Sequence, residues 1–364
     1  RALYLEALED SVAKRHRKAL PLLERAADLE PRNFWAWMIL GICHDDLGDD
    51  RYAVGDYTAA AALAPEFHGV YFNRGLAYFR QRKHAEAARD FDRAIEYGGG
   101  TLDAYTNRSL AREHLGRYSE AIADLDQAQK MDPSATFVYF QRARVRQLAK
   151  DPRAADDFAE GMRRTPSDVR SWNALGNVHL RQADTVPLFA FFEAMLALSA
   201  FEQGLEKDPD HRATLISKAS VLSERFGRDR DALVVMDRLV RLYPEYAHGI
   251  SGRGVLHARL GNRDAALEDA GRALELTGDA FVVYQVGDIY ALTSRQVPTD
   301  AGQAWLLLHE ALSKGFGARE LPTDPDLEPL HSLPEFRQLL DLAEKRRKAS
   351  QVQSRPQNSG NRRP

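Results

Sequence analysis

Ala19, Ala53, Ala87 and Ala121 recur at a constant spacing of 34 residues, and other small residues keep step with them. Ala26, Ala60, Ala94 and Ala128 follow seven positions later. Gly41, Gly75 and Ser109 share the period, as do Pro31, Pro65 and Pro133, with Gly99 in the remaining slot. A fixed period of this length marks one supersecondary unit stacked many times. Such a chain grows by adding units that each touch only their neighbours, so 364 residues imply no division into globular domains. The architecture also shapes function, because stacked arrays present long surfaces suited to binding.

Within one unit, residues 33–66 carry two apolar stretches of helical periodicity, split at Gly48 and ended by Pro65. Two helices joined by a short turn follow. Gly41 and Ala53 let the pair approach closely, while Trp37, Leu40 and Tyr57 fill the space between units. Trp37, Leu40, Gly41, His44, Ala53, Tyr57 and Pro65 stand at the spacing of the tetratricopeptide repeat (TPR) signature, and the following units repeat it in register. Residues 17–316 therefore resemble a TPR array. The resemblance implies an all-α, right-handed superhelical solenoid.

Following the second-helix alanine gives Ala154, Ala197, Ala232, Ala266 and Ala304, hence about nine helix-turn-helix units over residues 1–316. The first unit is degenerate: Glu6 and Asp10 stand where Leu and an aromatic belong, as in a polar cap or a truncated neighbour. "TSRQVPTDAGQ" before Ala304 predicts a lengthened loop. Extra residues before Ala197 form an apolar insertion, "VPLFAFFEAMLAL" (186–198), whose one charge is Glu193. Thr185 as helix cap and Pro187 in the first turn predict a lengthened second helix in the sixth unit. The apolar run is shorter than the ~20 residues of a membrane span, so none is expected. Residues 317–344 are read as a C-terminal cap, with Phe336, Leu339, Leu340 and Leu342 covering the last unit, and 345–364 as a disordered tail.

A net charge of −3 gives no basic face for nucleic acid. The single Cys43 excludes a disulfide framework and a Cys-rich zinc site, suits a reducing, cytoplasmic setting, and reads as a core residue. The chain starts at Arg1 and reads as a piece of something longer. Kinase, Walker and Rossmann fingerprints are missing from the sequence. His44, His179 and His257 lie whole units apart in the slot usually held by Tyr, which points to packing rather than a metal site. Asp45, Asp46, Asp49 and Asp50 straddle a helix turn and read as capping and surface. Neither catalysis nor a cofactor nor a metal is expected.

The polar residues of the first helices carry more. Asn73, Asn107 and Gln141 occupy one repeat position, with Gln285 later. A primary amide both donates and accepts, so a row of them can hold the backbone of an extended peptide. This resembles the asparagine ladder of TPR arrays that bind extended chains. Asn173 and Asn177 extend one helix face, and Arg144 and Arg181 add anion preference. A carboxylate clamp of the kind that holds chaperone C-termini is not expected, since Gly69, Phe72 and Asp103 stand where positive charge is needed. At the other end, "AWLLLHEALSKGF" followed by "TDPDLEPLHSLPEFRQLL" is similar to the close of TPR arrays in large bacterial signalling proteins such as serine/threonine kinases. The expected role is a protein-interaction scaffold that docks a protein or extended peptide in its concave groove. The alternative is a homo-oligomerisation module using Phe189, Phe191, Phe192 and Met195 of the insertion, since aromatic anchors dominate interfaces.

Overall fold

The computed structural model describes residues 2–353 and is all-α, with 79% of the described residues helical. It forms two compact units that divide between Glu245 and Tyr246. The first begins with α1 (Ala2–Val12), α2 (His16–Leu29), α3 (Phe34–Leu47), α4 (Asp50–Leu63), α5 (His68–Arg80) and α6 (His84–Ala94). It continues through α7 (Leu102–His114), α8 (Tyr118–Met131), α9 (Thr136–Leu148) and α10 (Ala154–Arg163). Its last four helices are α11 (Val169–Thr185), α12 (Ala190–Lys207), α13 (Arg212–Ser220) and α14 (Asp229–Leu242). The second unit holds α15 (Ala247–Arg259), α16 (Arg263–Leu276), α17 (Ala280–Thr293), α18 (Asp300–Ser313) and α19 (Pro334–Gln353). Consecutive helices pair into hairpins, seven in the first unit and two in the second among the described residues. The nine hairpins match the nine units of the repeat.

The period has a packing cause. Ala19, Ala53, Ala87, Ala121, Ala197, Ala232, Ala266 and Ala304 are fully buried, because a larger side chain there would hold the helices apart. Across each hairpin a small residue faces a large one. A Cβ on Gly41 would lie 2.5 Å from the ring of Tyr57, and one on Gly176 would lie 2.4 Å from that of Phe201. Ala154, at the start of the short α10, is only partly buried, and Gly161 takes up the close approach there, against Phe140. Where Gly99 replaces the turn proline, α6 runs on into a π turn over Ile95–Gly99 that needs Gly98 at φ +93°.

Charges inside the first unit are tied in the same register. Arg74 of α5 pairs with Asp90 of α6 at 2.7 and 2.8 Å, and Arg142 of α9 with Asp157 of α10 at 2.9 and 2.7 Å. Between them, Arg108 of α7 holds Asp124 of α8 and also reaches back to Asp92 of α6 at 2.8 Å. The degenerate first hairpin follows this logic: Asp10, 2% exposed, is held by Arg15 and Lys18.

The structure corrects the reading of the insertion. Thr185 is the last residue of α11, and its hydroxyl donates to the Gln182 carbonyl instead of capping α12. A 3-10 turn over Pro187–Phe189 follows. The extra residues are shared between α11 (17 residues) and α12 (18 residues), where α9, the first helix of the preceding hairpin, has 13 and α14, the second helix of the following one, has 14. The hairpin grows at its tip because both strands of a helix pair must lengthen for the added residues to stay packed. The segment Pro187–Lys207 is, by length and composition, long and apolar enough to cross a membrane, which the apolar run alone is not. Its inner face is nonetheless part of the array, with Ala194, Ala197, Ala200 and Phe201 buried.

In the second unit, a six-residue loop separates α17 from α18. After α18, a 3-10 turn over Pro325–Leu330 packs on α17, and α19 packs on α18. Phe336 and Leu339 are buried, and Leu340 and Leu342 are half-buried. Arg259 grips Asp326 at 2.8 and 2.7 Å, and the Tyr284 hydroxyl donates to Asp324, which fastens this segment to the unit. The last helix runs to Gln353, into the stretch read from sequence as disordered; residues 354–364 lie outside the described residues.

Candidate functional site

Adjacent first helices of the array lie side by side, α9 against α11 and α11 against α13. Residues pointing away from the second helices therefore share one face. On that face a cavity of about 420 Å³ is lined by Phe137, Phe140, Gln141, Arg144, Arg170, Asn173, Ala174, Asn177, Arg181 and His211. Five of the seven residues singled out for the groove meet here. The helix starts are well defined: Asp168 caps α11 by accepting from the Ser171 backbone, and the same Ser171 hydroxyl accepts from the Phe137 backbone on α9.

The cavity is polar and electropositive. Arg144 donates to the buried Glu113 of α7 at 2.6 Å. Burial pushes the Glu113 carboxyl above its ordinary range, against the pull of Arg144. Arg170 stacks on Phe137 at 4.4 Å and reaches past α9 to pair with Asp103 of α7. Arg181 has no carboxylate partner among the described residues. Desolvation, and then the neighbouring Arg144 cation, lower its pKa from the usual arginine value. The side-chain oxygens of Gln141 and Asn173 are buried without a donor, so both amides have unspent hydrogen-bonding capacity. The arrangement can bind an extended, anionic chain.

The other two groove residues are not brought into this cavity. Asn107 donates to the Asp103 carbonyl of its own helix at 2.8 Å, and Asn73 faces the Tyr57 hydroxyl. Gln285, in the second unit, accepts from the Ser251 hydroxyl at 2.7 Å. Side chains at equivalent repeat positions thus have different local partners. Arg170 and His211 were missed, since each sits at the start of a first helix, before the stretch where the amides recur. The Arg–Asp pairs were also missed, although Arg74, Arg108 and Arg142 obey the 34-residue period and each has an aspartate 15 or 16 residues on.

Two of the three histidines of the Tyr slot are used inside their hairpins. His44 meets Asp56 at 2.6 Å, and His179 meets Glu193 at 2.7 Å. The single charge of the insertion is thereby consumed. What the tip presents is apolar: Phe189, Phe192 and Met195 are about half exposed (54%, 55% and 50%), Phe191 is 68% exposed and Leu188 85%. Phe191 rests its edge on Phe226 at 5.6 Å.

Fold and site together define a helical-repeat array of the TPR type with a polar cavity on its first helices. Residues 4–66 and 72–136 match the sequence profile of the tetratricopeptide repeat family. No curated protein matches the chain. Among solved structures, yeast Tom70 is similar over 79% of this chain, at 19% identity and a TM-score of 0.53, and the match spans 61% of Tom70. A crystal structure of MamA is similar over 43% of this chain and 92% of its own (18% identity, TM-score 0.42). A MamA fragment from Desulfovibrio magneticus RS-1 is similar over 44% of this chain and 92% of its own, at 18% identity and a TM-score of 0.43.

Proposed function

We propose that the chain is a protein-interaction scaffold that binds an extended peptide segment of a partner along the first helices of its first unit, without catalysis of its own. One observation carries this reading: Gln141, Arg144, Asn173, Asn177 and Arg181, from two adjacent repeats, line one open cavity. Amide and guanidinium groups there have hydrogen bonds left to give, and each made on binding is worth on the order of 1 kcal/mol. The residues around "TDPDLEPLHSLPEFRQLL" support a place as the docking part of a larger cytoplasmic signalling protein. We read the helix Pro187–Lys207 as part of the array and not as a membrane span, because its inner face is core. The test is affinity capture from the native host with the wild-type chain and with Gln141, Asn173 and Asn177 all replaced by Ala. A partner retained by the first and lost by the second, with helicity unchanged, is the expected result. Equal retention by both moves the interface elsewhere.

A second reading, homo-oligomerisation, is favoured by the exposed tip. At roughly 200 Å² for a whole aromatic side chain, Val186, Leu188, Phe189, Phe191, Phe192 and Met195 together expose on the order of 600 Å². That is the upper end of the ~300–600 Å² patch found on ordinary monomers. It approaches the ~800 Å² each partner buries in a stable interface. With Glu193 turned in toward His179, nothing charged on this run opposes apolar self-contact.

A further inference from the structure

The cavity between α9 and α11 carries a more specific statement about its occupant. Three guanidiniums line it, and only two are neutralised: Arg144 by Glu113, and Arg170 by Asp103. The third, Arg181, has no acid among the described residues and sits close enough to Arg144 to feel its charge. Two like charges brought to one cavity, with one counter-ion missing, constitute a standing demand for an anion. The amides of Asn173 and Asn177 stand on the same helix as Arg181, four residues apart in succession. They can hold the backbone while the guanidinium forks onto a carboxylate, the geometry for which arginine is suited. Phe137 and Ala174 supply an apolar wall for the carbon chain that bears it.

We propose that this cavity is the selectivity pocket of the groove and takes the carboxylate side chain, Asp or Glu, of an extended partner segment. The statement rests on the groove-binding reading above and adds to it the chemistry of the partner. A side chain is favoured over a chain terminus by position. First-helix surface continues on both sides of the cavity, through α7 toward Asn107 and through α13 past His211, so a bound chain has a path in both directions.

The probe is a random library of acetylated, amidated 12-residue peptides, selected on the whole chain. A parallel library has free C-termini, and another carries phosphoserine at one fixed position. The expected result is enrichment of Asp or Glu at one position in the amidated library. Exchanging that residue for Gln in a selected peptide should weaken binding at least tenfold. Arg181→Gln in the protein should weaken the acidic peptide by a similar factor and abolish the acid-against-amide difference. Arg181→Lys should restore part of it. Because Arg181 is exposed and pairs with no acid among the described residues, both variants keep the wild-type melting curve. Amidated peptides that bind without acid enrichment, or whose acid preference survives Arg181→Gln, overturn the pocket and leave groove binding standing. Selection only from the free-terminus or only from the phosphoserine library likewise overturns the side-chain carboxylate. Failure of every library to yield a binder overturns the groove reading together with the pocket.

Discussion

Replacing Asp124 by Asn should destabilise the first unit by about 3 kcal/mol. Asp124, 3% exposed, accepts from Arg108 at 2.5, 3.1 and 3.2 Å and from Arg112 at 2.9 Å. Burial pushes its carboxyl up, while the two arginines pull it down. Asn keeps the shape and removes the charge, which leaves two guanidiniums with Asp92, itself half in solvent, as the main partner. Breaking a buried pair by removing one side costs ~3–5 kcal/mol, because the remaining charge stays desolvated. Some solvent access at the arginines sets the estimate at the lower end. For a body of this size ~1 kcal/mol corresponds to roughly 2–4 °C, so melting should fall by about 6–12 °C. Urea unfolding followed by helical circular dichroism gives the free energy from midpoint and slope. The same experiment on Arg108→Met with Asp124→Leu should show a smaller loss, since a buried ion pair exchanged for apolar groups of similar volume is often close to neutral. A loss below about 1 kcal/mol for Asp124→Asn would show that the network is solvated, and the account of how α6, α7 and α8 are held in register would be wrong.

Exchanging Phe189 and Phe192 together for Ser should abolish self-association in sedimentation velocity while costing less than about 1 kcal/mol of stability, because both rings are half exposed. A loss of several kcal/mol would mean that they are core. Gly176→Ala should cost about 1–3 kcal/mol, since its Cβ meets the buried Phe201 ring at 2.4 Å. Gly55→Ala, in the middle of α4 with open space around it, should stabilise by about 0.5–1 kcal/mol on the same urea assay. Burial alone would push the His16 imidazole down, but the Asp46 carboxylate 3.2 Å from its Nε2, with Cys43 beside it, outweighs burial and carries it up to about 9. The folded state therefore holds a proton that the unfolded chain releases near 6.5. The resulting stability is complete below that pH and is lost as pH rises through about 9. His16→Gln should flatten the urea midpoint between pH 6 and pH 10, and an unchanged slope against pH would refute the assignment.

Much of this protein was written in its sequence because the repeat is a packing rule between neighbours. A small residue had to recur once per unit, every 34 residues through the first four and at 33 to 43 thereafter, for each hairpin to close, so the pattern marked nine helix pairs and the face on which Gln141, Asn173 and Asn177 lie. The same argument placed the aromatic run at the sixth hairpin and showed that only one charge accompanies it. What the period could not state is how each polar side chain is used once its neighbours are in place. Asn73, Asn107 and Gln141 are equivalent in sequence, yet Asn107 turns to its own helix and Asn73 to Tyr57, while Gln141 opens onto the cavity. Arg144 and Arg181 are distinguished only by Glu113, which is far from both in sequence and reaches just one of them. Thr185 likewise reads as a cap until the hairpin lengthens on both sides and makes it a helix end. Periodicity determines which surfaces must be buried. Hydrogen bonds and ion pairs act within about 3 Å, and that distance is set only when the helices have packed.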